Sequence, residues 1–484
     1  MELTKLIEGL DIIDIQGSTN KQISRIVYDS RRAVPKSLFV CIDGFKTDGH
    51  KFIQSAIDNG ASTFIVQKDV PIMDGITIIK VKDTRYALAH VASAYFEHPS
   101  IDFTLIGVTG TKGKTTITYM IKSILEQADQ MVGLIGTVAN VIGCEKMPAQ
   151  RTTPESLDLQ EVFDNMKCRG AETVVMEVSS QGLKLNRVAC SDFDIGVFTN
   201  FSEDHIGGDE HPDMEDYLNS KIKLFSMAKS GLVNVDCEYS DRVLEGRKYE
   251  CMTFGVANKA DISAKDIVTS ADSVEFFVTT PWFSRNIVVS VPGMFSVYNA
   301  LAAIGVAGMM GVAPEHIVNG LKDIHIPGRA EIVSTPNKPY TVMIDYAHTP
   351  DSLRNILQTV KDFVPNRLIS VFGCGGDRDR GKRPQMGKIS GEIADITIIT
   401  SDNPRTEEPI DIIKDIEKGI KETDGQYSII RDRTKAIRHA IEIAQKGDII
   451  VLAGKGHETY QIFKDKTIHY DEREIVIEIL ESME

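Results

Sequence analysis

The sequence predicts an α/β protein of three domains: a mixed αβ domain over 1–98, a central parallel-sheet domain of P-loop type over 99–328, and a C-terminal Rossmann-like αβ domain over 329–484. Three observations lead there. At roughly 100–200 residues per domain, a chain of 484 residues calls for more than one core. From Phe103 onward, short β-branched runs alternate with helical patterns, the mark of parallel sheets flanked by helices. Finally, the polar, glycine-rich segments nearly all follow a strand directly, where open parallel sheets bind ligands.

In the first stretch, the apolar runs Leu38–Ile42 and Thr63–Val66 read as strands among short mixed elements. The central series has strands at Thr104–Val108, Thr173–Val178, Asp194–Thr199 and Leu232–Val235. The region 250–292 reads as antiparallel strands, followed by a helix at Asn299–Met310. A turn at Pro327–Gly328 ends the series. The last series has strands at Tyr340–Ile344, Leu368–Phe372, Asp395–Thr400 and Asp448–Ala453.

Apolar residues make up 42% and charged residues 25%, the balance of a globular protein. The net charge of −15 argues against nucleic acid as a partner, because phosphate backbones need a basic surface. The seven cysteines are odd in number and form no CxxC pair, which fits a reducing cytoplasm rather than a disulfide framework or a zinc site. The opening MELTKLIEGLDIIDIQG has no uninterrupted apolar core, so it does not read as a signal peptide. No stretch reaches the roughly 18 apolar residues of a membrane span.

The segment LIGVTGTKGKTTITYMIKSIL is a strand, a glycine loop and a helix. Gly110 and Gly113 let the backbone curl so that its N–H groups face phosphate oxygens. Lys114 reaches the outer phosphates, Thr115 is placed for Mg²⁺, and the helix offers its positive end. Val108 stands where the longest form of this loop has glycine. The loop makes the central domain an ATPase domain. A carboxylate at a strand end, Glu177, and an imidazole after the next strand, His205, suit Mg²⁺ and a phosphorylated substrate.

Met214, Tyr217, Leu218, Lys221, Leu224 and Phe225 follow helical spacing, which puts Lys221 inside an apolar stripe. Such a lysine either snorkels outward or is buried and loses its charge. The segment GCGGDRDRGKRP gathers Arg378, Arg380, Lys382 and Arg383 in an acidic chain, SDNPRTEEP adds Arg405, and GKGHE adds Glu458. Arginine grips carboxylates in bidentate fashion. A substrate with both carboxylates and amines needs arginine and acid together.

GTKGKTT, MEVSS, FTN with EDH, YLNSKIKLF, PGR, DYAHTPDSL, DNPR and GKGHE occur in that order over essentially the whole chain. Together they resemble the Mur ligases, and within them the branch that adds the third residue of the peptidoglycan stem peptide. The resemblance implies three domains that hold a UDP-sugar nucleotide, ATP and an incoming amino acid. ATP would be held by Gly110, Thr111, Lys112, Gly113, Lys114, Thr115 and Thr116, with Asn299, Arg329 and Asp345. Mg²⁺ would be ligated by Thr115, Glu177, His205 and a carbamylated Lys221, whose family pattern YxxxKxxLF is met by Tyr217, Lys221, Leu224 and Phe225. The catalytic set is then Lys114, Glu177, His205 and Lys221.

The resemblance also places the acceptor UDP-MurNAc-L-Ala-D-Glu on Tyr28, Ser30, Phe45, Lys46, Thr47, Thr152, Thr153, Ser179, Ser180 and Arg187. Arg378, Asp402, Asn403, Pro404, Arg405, Gly454 and Glu458 fall on the amino-acid pocket, where the arginine of DNPR grips the far carboxylate of meso-diaminopimelate. The sequence departs from the family at Ser296, at Leu185 and in the longer DHIGGDEHPD segment. The expected activity is an ATP-dependent carbon–nitrogen ligase working through an acyl phosphate in cytoplasmic peptidoglycan precursor synthesis. The alternatives are the same reaction with L-lysine, a folylpolyglutamate-type ligase, and a P-loop regulator that binds ATP without ligating.

Overall fold

The computed structural model describes residues 1–483 apart from 46, 72–73, 144, 150, 204–205, 208–209, 246–248, 250, 271 and 337. Two expected site residues, Lys46 and His205, therefore lie outside the described residues. The chain forms two compact units. The first comprises Met1–Ser263, Thr279–Phe283 and Leu301–Gly320; the second comprises Ala264–Val278, Ser284–Ala300 and Leu321–Glu484.

The first unit opens with a five-stranded sheet in the order Ile12–Gln16, Thr77–Val81, Ala61–Val66, Ser37–Val40, Arg25–Val27. Only the first pair is antiparallel. The helix Thr84–Tyr95 starts where Asp83 accepts hydrogen bonds from the Arg85 and Tyr86 N–H groups. It buries Leu88, Val91 and Ala92 against Leu38, Ile65 and Ile79. The central strands are buried on both faces, with Leu38, Val40, Ile65 and Ile79 in this core and Phe39, Phe64, Val66 and Ile78 in a second one.

A second sheet of this unit runs Ala228–Asn234, Phe193–Phe198, Thr104–Thr109, Thr173–Glu177, Val132–Ile135, all parallel. Ala139–Ile142 and Glu145–Pro148 then extend it antiparallel. On the other edge, Cys251–Gly255 pairs in parallel with Ala228–Asn234, and Ile262 and Ser263 continue in parallel beyond it. The expectation of antiparallel strands from residue 250 is thus corrected for its first two strands. Half-buried strands show the same period of two whichever way they run. The parallel strands bring Thr109, Glu177 and Phe198 to one edge, with Glu177 beside Val108 and Phe198 beside Thr109. The helices Lys114–Gln127 and Met214–Met227 bury their apolar stripes, including Ile117, Ile121 and Ile124 in the first and Leu218, Leu224 and Phe225 in the second.

In the second unit, a six-stranded sheet runs Glu331–Val333, Thr341–Asp345, Ile449–Ala453, Leu368–Phe372, Ile396–Ile399, Gln426–Ile429. All pairs but the first are parallel. Asp345 and Phe372 both lie level with Ala453, so the loops DYAHTPD, GCGGDRDRGKRP and GKGHE leave the same edge. A capping box between Thr349 and Ser352 starts the helix Pro350–Lys361. The helix expected at Asn299–Met310 runs Met294–Met309. Among the described residues, no helix is long and apolar enough to cross a membrane.

Candidate active site

The glycine loop leaves the strand Thr104–Thr109 and enters the helix Lys114–Gln127 with Gly113 at the N-cap, φ +87°. Gly110 has φ +152°, and a Cβ there would strike the Thr199 side chain, so glycine is required on both counts. Asn200 fixes the loop from the neighbouring strand end: its carbonyl accepts from Thr111 N–H at 3.0 Å and its side-chain oxygen from Lys112 N–H at 2.8 Å. Thr199 donates to the Lys112 carbonyl at 2.7 Å. Lys114 folds over the loop, its Nζ donating to the carbonyls of Gly110 at 2.8 Å and Thr111 at 3.0 Å. Thr116, expected on ATP, is buried in the first turn.

Glu177 ends its strand almost fully buried. Its carboxylate accepts from Thr115 Oγ1 at 3.0 Å, Thr137 N–H at 2.8 Å and Thr137 Oγ1 at 3.1 Å. A hydroxyl and an oriented carboxylate in contact are hard oxygen donors, the set that fits Mg²⁺. Among the described residues no group of three or more His, Cys, Asp or Glu gathers as a metal site. Lys221 is 1% exposed, so it does not snorkel. Its Nζ donates to the Gly110 carbonyl at 2.8 Å and lies 4.4 Å from the centroid of the Tyr217 ring.

Lys114 and Lys221 line a cavity of about 210 Å³ together with Arg151, Thr152, Thr153, Ser179, Ser180, Gln181, Arg187, Glu210 and Tyr217. Five residues expected on the acceptor are thereby brought together with the two lysines. Thr153 bonds the Glu177 carbonyl at 3.0 Å and the Ser179 hydroxyl at 3.1 Å, and Ser179 caps the next helix by accepting from Gly182 N–H at 3.0 Å. Burial pulls the Arg187 guanidinium below its ordinary value, and Glu155 at 3.4 Å works against that.

The described N-terminal candidates, Tyr28, Ser30, Phe45 and Thr47, do not line this cavity. Tyr28 donates to Asp158 Oδ2 at 2.5 Å and lines a separate cavity of about 170 Å³ with Arg25, Arg32, Tyr95 and Phe96. Among the described residues Ser30, Phe45 and Thr47 do not line it. Ser30 is buried, Phe45 is 53% exposed, and the Thr47 carbonyl accepts from Gly44 N–H.

In the second unit, the half-buried Asp345 carboxylate accepts from Ala330 and Ala347 N–H, each at 2.8 Å. Burial pushes this carboxyl above its usual range, opposed by Arg329. The Arg329 guanidinium lies 5.0 Å over the Tyr346 ring, and that ring packs 4.6 Å from His348 and 4.7 Å from His457. Burial lowers His457 to about 4. Asn299 is buried within Met294–Met309.

The amino-acid candidates assemble around Asn403. Its amide donates to Glu458 at 2.8 Å, and its carbonyl oxygen accepts from Ile462 N–H at 3.0 Å and Lys455 Nζ at 3.2 Å. Lys455 also reaches Glu458 at 3.2 Å. Burial raises the Glu458 carboxyl, while Lys455 and Asn403 pull the other way. Among the described residues, the buried Asp402 Oδ2 has no hydrogen-bond partner, and it lies beside Gly454 with φ +114°. The Pro404 carbonyl accepts from Glu407 N–H, and Arg405 Nη1 donates to the Gly376 carbonyl at 2.9 Å. Arg405 and the exposed Arg378 both flank Gly375.

Other cations of that basic segment serve the fold. Arg383 is fully buried on Glu407 at 2.8 Å and Asp415 at 3.1 Å, and Arg380 meets Glu407 at 3.0 Å. Sequence reasoning missed Thr137, Asn200, Lys455, His211 and Asp216, the last two joined to the expected Ser180. A strand-end threonine or asparagine has no signature of its own, whereas the lysine of GKGHE could have been singled out.

Three family models match the chain: the Mur ligase family catalytic domain at 22–96, the Mur ligase middle domain at 108–307, and the Mur ligase glutamate ligase domain at 328–456. The UDP-N-acetylmuramoyl-L-alanyl-D-glutamate--2,6-diaminopimelate ligase of Caldanaerobacter subterraneus subsp. tengcongensis is 49% identical over 485 residues, covering 100% of both chains. The enzyme of the same name from Clostridium perfringens is 49% identical over 487 residues, covering 99% of this chain and 100% of its own. A solved structure of a ligase of that name superposes with a TM-score of 0.73 at 30% identity, over 100% of this chain and 99% of that one. Loop, strand ends and full-length similarity agree: the chain belongs to the Mur ligase family of ATP-dependent amide-bond ligases.

Proposed function

We propose that the chain joins meso-diaminopimelate to the D-glutamyl carboxylate of UDP-MurNAc-L-Ala-D-Glu, with ATP converted to ADP and phosphate, in cytoplasmic peptidoglycan precursor synthesis. The observation that carries this reading is the Asn403 cluster, where the Arg405 guanidinium and the Glu458 carboxylate flank one loop. Diaminopimelate has a carboxylate for the first and an ammonium for the second.

The roles follow from the parts. Gly110–Thr116 and Arg329 and Asp345 hold ATP. Lys114 stabilises charge on the γ-phosphoryl group as it passes to the acceptor carboxylate. Thr115 and Glu177, with His205 and a carbamylated Lys221, hold Mg²⁺, which supplies further charge neutralisation at the phosphates. Carbamylation turns the buried amine of Lys221 into an anionic oxygen donor. Thr152, Thr153, Ser179, Ser180 and Arg187 hold the acceptor's peptide arm, and Tyr28, Ser30, Phe45, Lys46 and Thr47 its nucleotide end. An amine of diaminopimelate then displaces phosphate from the acyl phosphate to form the amide. The work divides among domains at 1–98, 99–328 and 329–484. The net charge of −15 keeps nucleic acid out of the account.

The test is phosphate release from ATP with UDP-MurNAc-L-Ala-D-Glu and a panel of amino acids. Release is expected only when both the acceptor and diaminopimelate are present. Release that ignores the amino acid, or that needs a folate instead, contradicts the proposal.

A further inference from the structure

Ser180, His211 and Asp216 form a chain of hydrogen bonds beside the 210 Å³ cavity, with Ser180 and His211 buried and Asp216 half-buried. His211 Nδ1 lies 2.6 Å from Asp216 Oδ2, and its Nε2 lies 2.9 Å from Ser180 Oγ. Lys184 steadies the far end, donating to Asp216 at 2.8 Å. A carboxylate only accepts hydrogen bonds, so the Nδ1 position must carry the imidazole hydrogen. The other tautomer would set a nitrogen lone pair against the carboxylate at 2.6 Å. Burial lowers the His211 pKa and keeps the ring neutral, so Nε2 is the acceptor and the single hydroxyl hydrogen of Ser180 is used on it. Both lone pairs of Ser180 Oγ are left, and among the described residues they have no partner. By contrast, the neighbouring Ser179 hydroxyl already caps a helix.

We infer that His211 and Asp216 are positioning residues that hold Ser180 as a hydrogen-bond acceptor for a neutral N–H group of the acceptor substrate, its L-Ala–D-Glu amide. The surroundings select that donor. Lys114, Arg151 and Arg187 line the same cavity and, among the described residues, outnumber its one lining carboxylate, Glu210, so an anionic group is drawn in and an ammonium is repelled. A carboxylate or phosphate oxygen has no hydrogen to offer Ser180, whereas the amide next to the D-glutamyl carboxylate has one. This rests on the reading that UDP-MurNAc-L-Ala-D-Glu is the acceptor, and it assigns one contact within that reading.

The experiment compares this substrate with its depsipeptide analogue, in which an ester oxygen replaces the amide N–H. A neutral hydrogen bond predicts a KM for the ester roughly 3- to 10-fold above that for the amide with the wild-type enzyme, at unchanged KM for ATP. Ser180→Ala should bind the two alike, so the cycle closes on the one bond. Ser180→Thr, which keeps the hydroxyl, should restore discrimination, and folded His211→Asn should weaken it. Equal KM values for amide and ester with the wild type overturn the role of Ser180 alone. Undiminished discrimination by Ser180→Ala does the same. No turnover of the amide substrate by the wild type overturns the acceptor assignment itself, and the inference with it.

Discussion

At the residue scale, the centre of the site is the Gly110 carbonyl, which accepts from both Lys114 and Lys221 at 2.8 Å. Two ammonium groups on one oxygen repel each other, an arrangement that favours an incoming triphosphate at Lys114 and conversion of Lys221 to a carbamate. Substitution separates the two roles. Lys114→Ala should lower ADP formation about 100-fold or more, the cost of losing a charge donor to the transition state, and added acid should not restore it. Lys221→Ala should lose activity by about as much, and a short-chain carboxylate that supplies the missing anionic oxygens should partly restore it. Rescue of neither variant contradicts the carbamate. The local signals made these residues legible in the sequence: a glycine loop for Lys114, a helical stripe for Lys221, a strand end for Glu177. His211 was missed because its meaning lies in Ser180, 31 residues earlier in the chain. Periodicity does not report such a pairing.

At the element scale, the strand series of both sheets was legible because continuous β-branched runs mark strands buried on both faces. The parallel course of Cys251–Gly255 was not, since residue pattern carries no direction. The basic segment after Leu368–Phe372 was legible only in part. Its arginines look alike in sequence, but Arg383 is turned inward and ties the helix Lys382–Ile393 to Glu407 and to Asp415 on Pro409–Ile420. Hydrogen bonds from Arg383, with a further one from Asp377 N–H, hold the Glu407 carboxyl down to about 2 against burial. A carboxyl depressed in the folded state contributes stability above its unfolded value of 4.5, and that stability is lost as pH falls towards about 2. Hydrogen-exchange protection of Lys382–Ile393 should therefore drop across that window. In Glu407→Gln, protection should already be lower at neutral pH and should change less across the window. Equal slopes for the two proteins contradict the assignment of this ion pair.

At the scale of the whole molecule, an acidic chain concentrates its positive charge where anions are handled. One concentration is the cavity of Lys114, Arg151 and Arg187; the other is the Arg378 and Arg405 pair about Gly375. In the proposed function, the second sets the chemistry of the product. Diaminopimelate and lysine differ by one carboxylate, and a site that leaves a guanidinium unmatched rejects the analogue by about 10⁴-fold or more. The central claim is therefore met most directly by a competition. Wild-type enzyme, ATP and UDP-MurNAc-L-Ala-D-Glu are incubated with equal meso-diaminopimelate and L-lysine, and the products are weighed by mass spectrometry. The account predicts the diaminopimelate product with the lysine product at trace level. Comparable amounts of the two would contradict it.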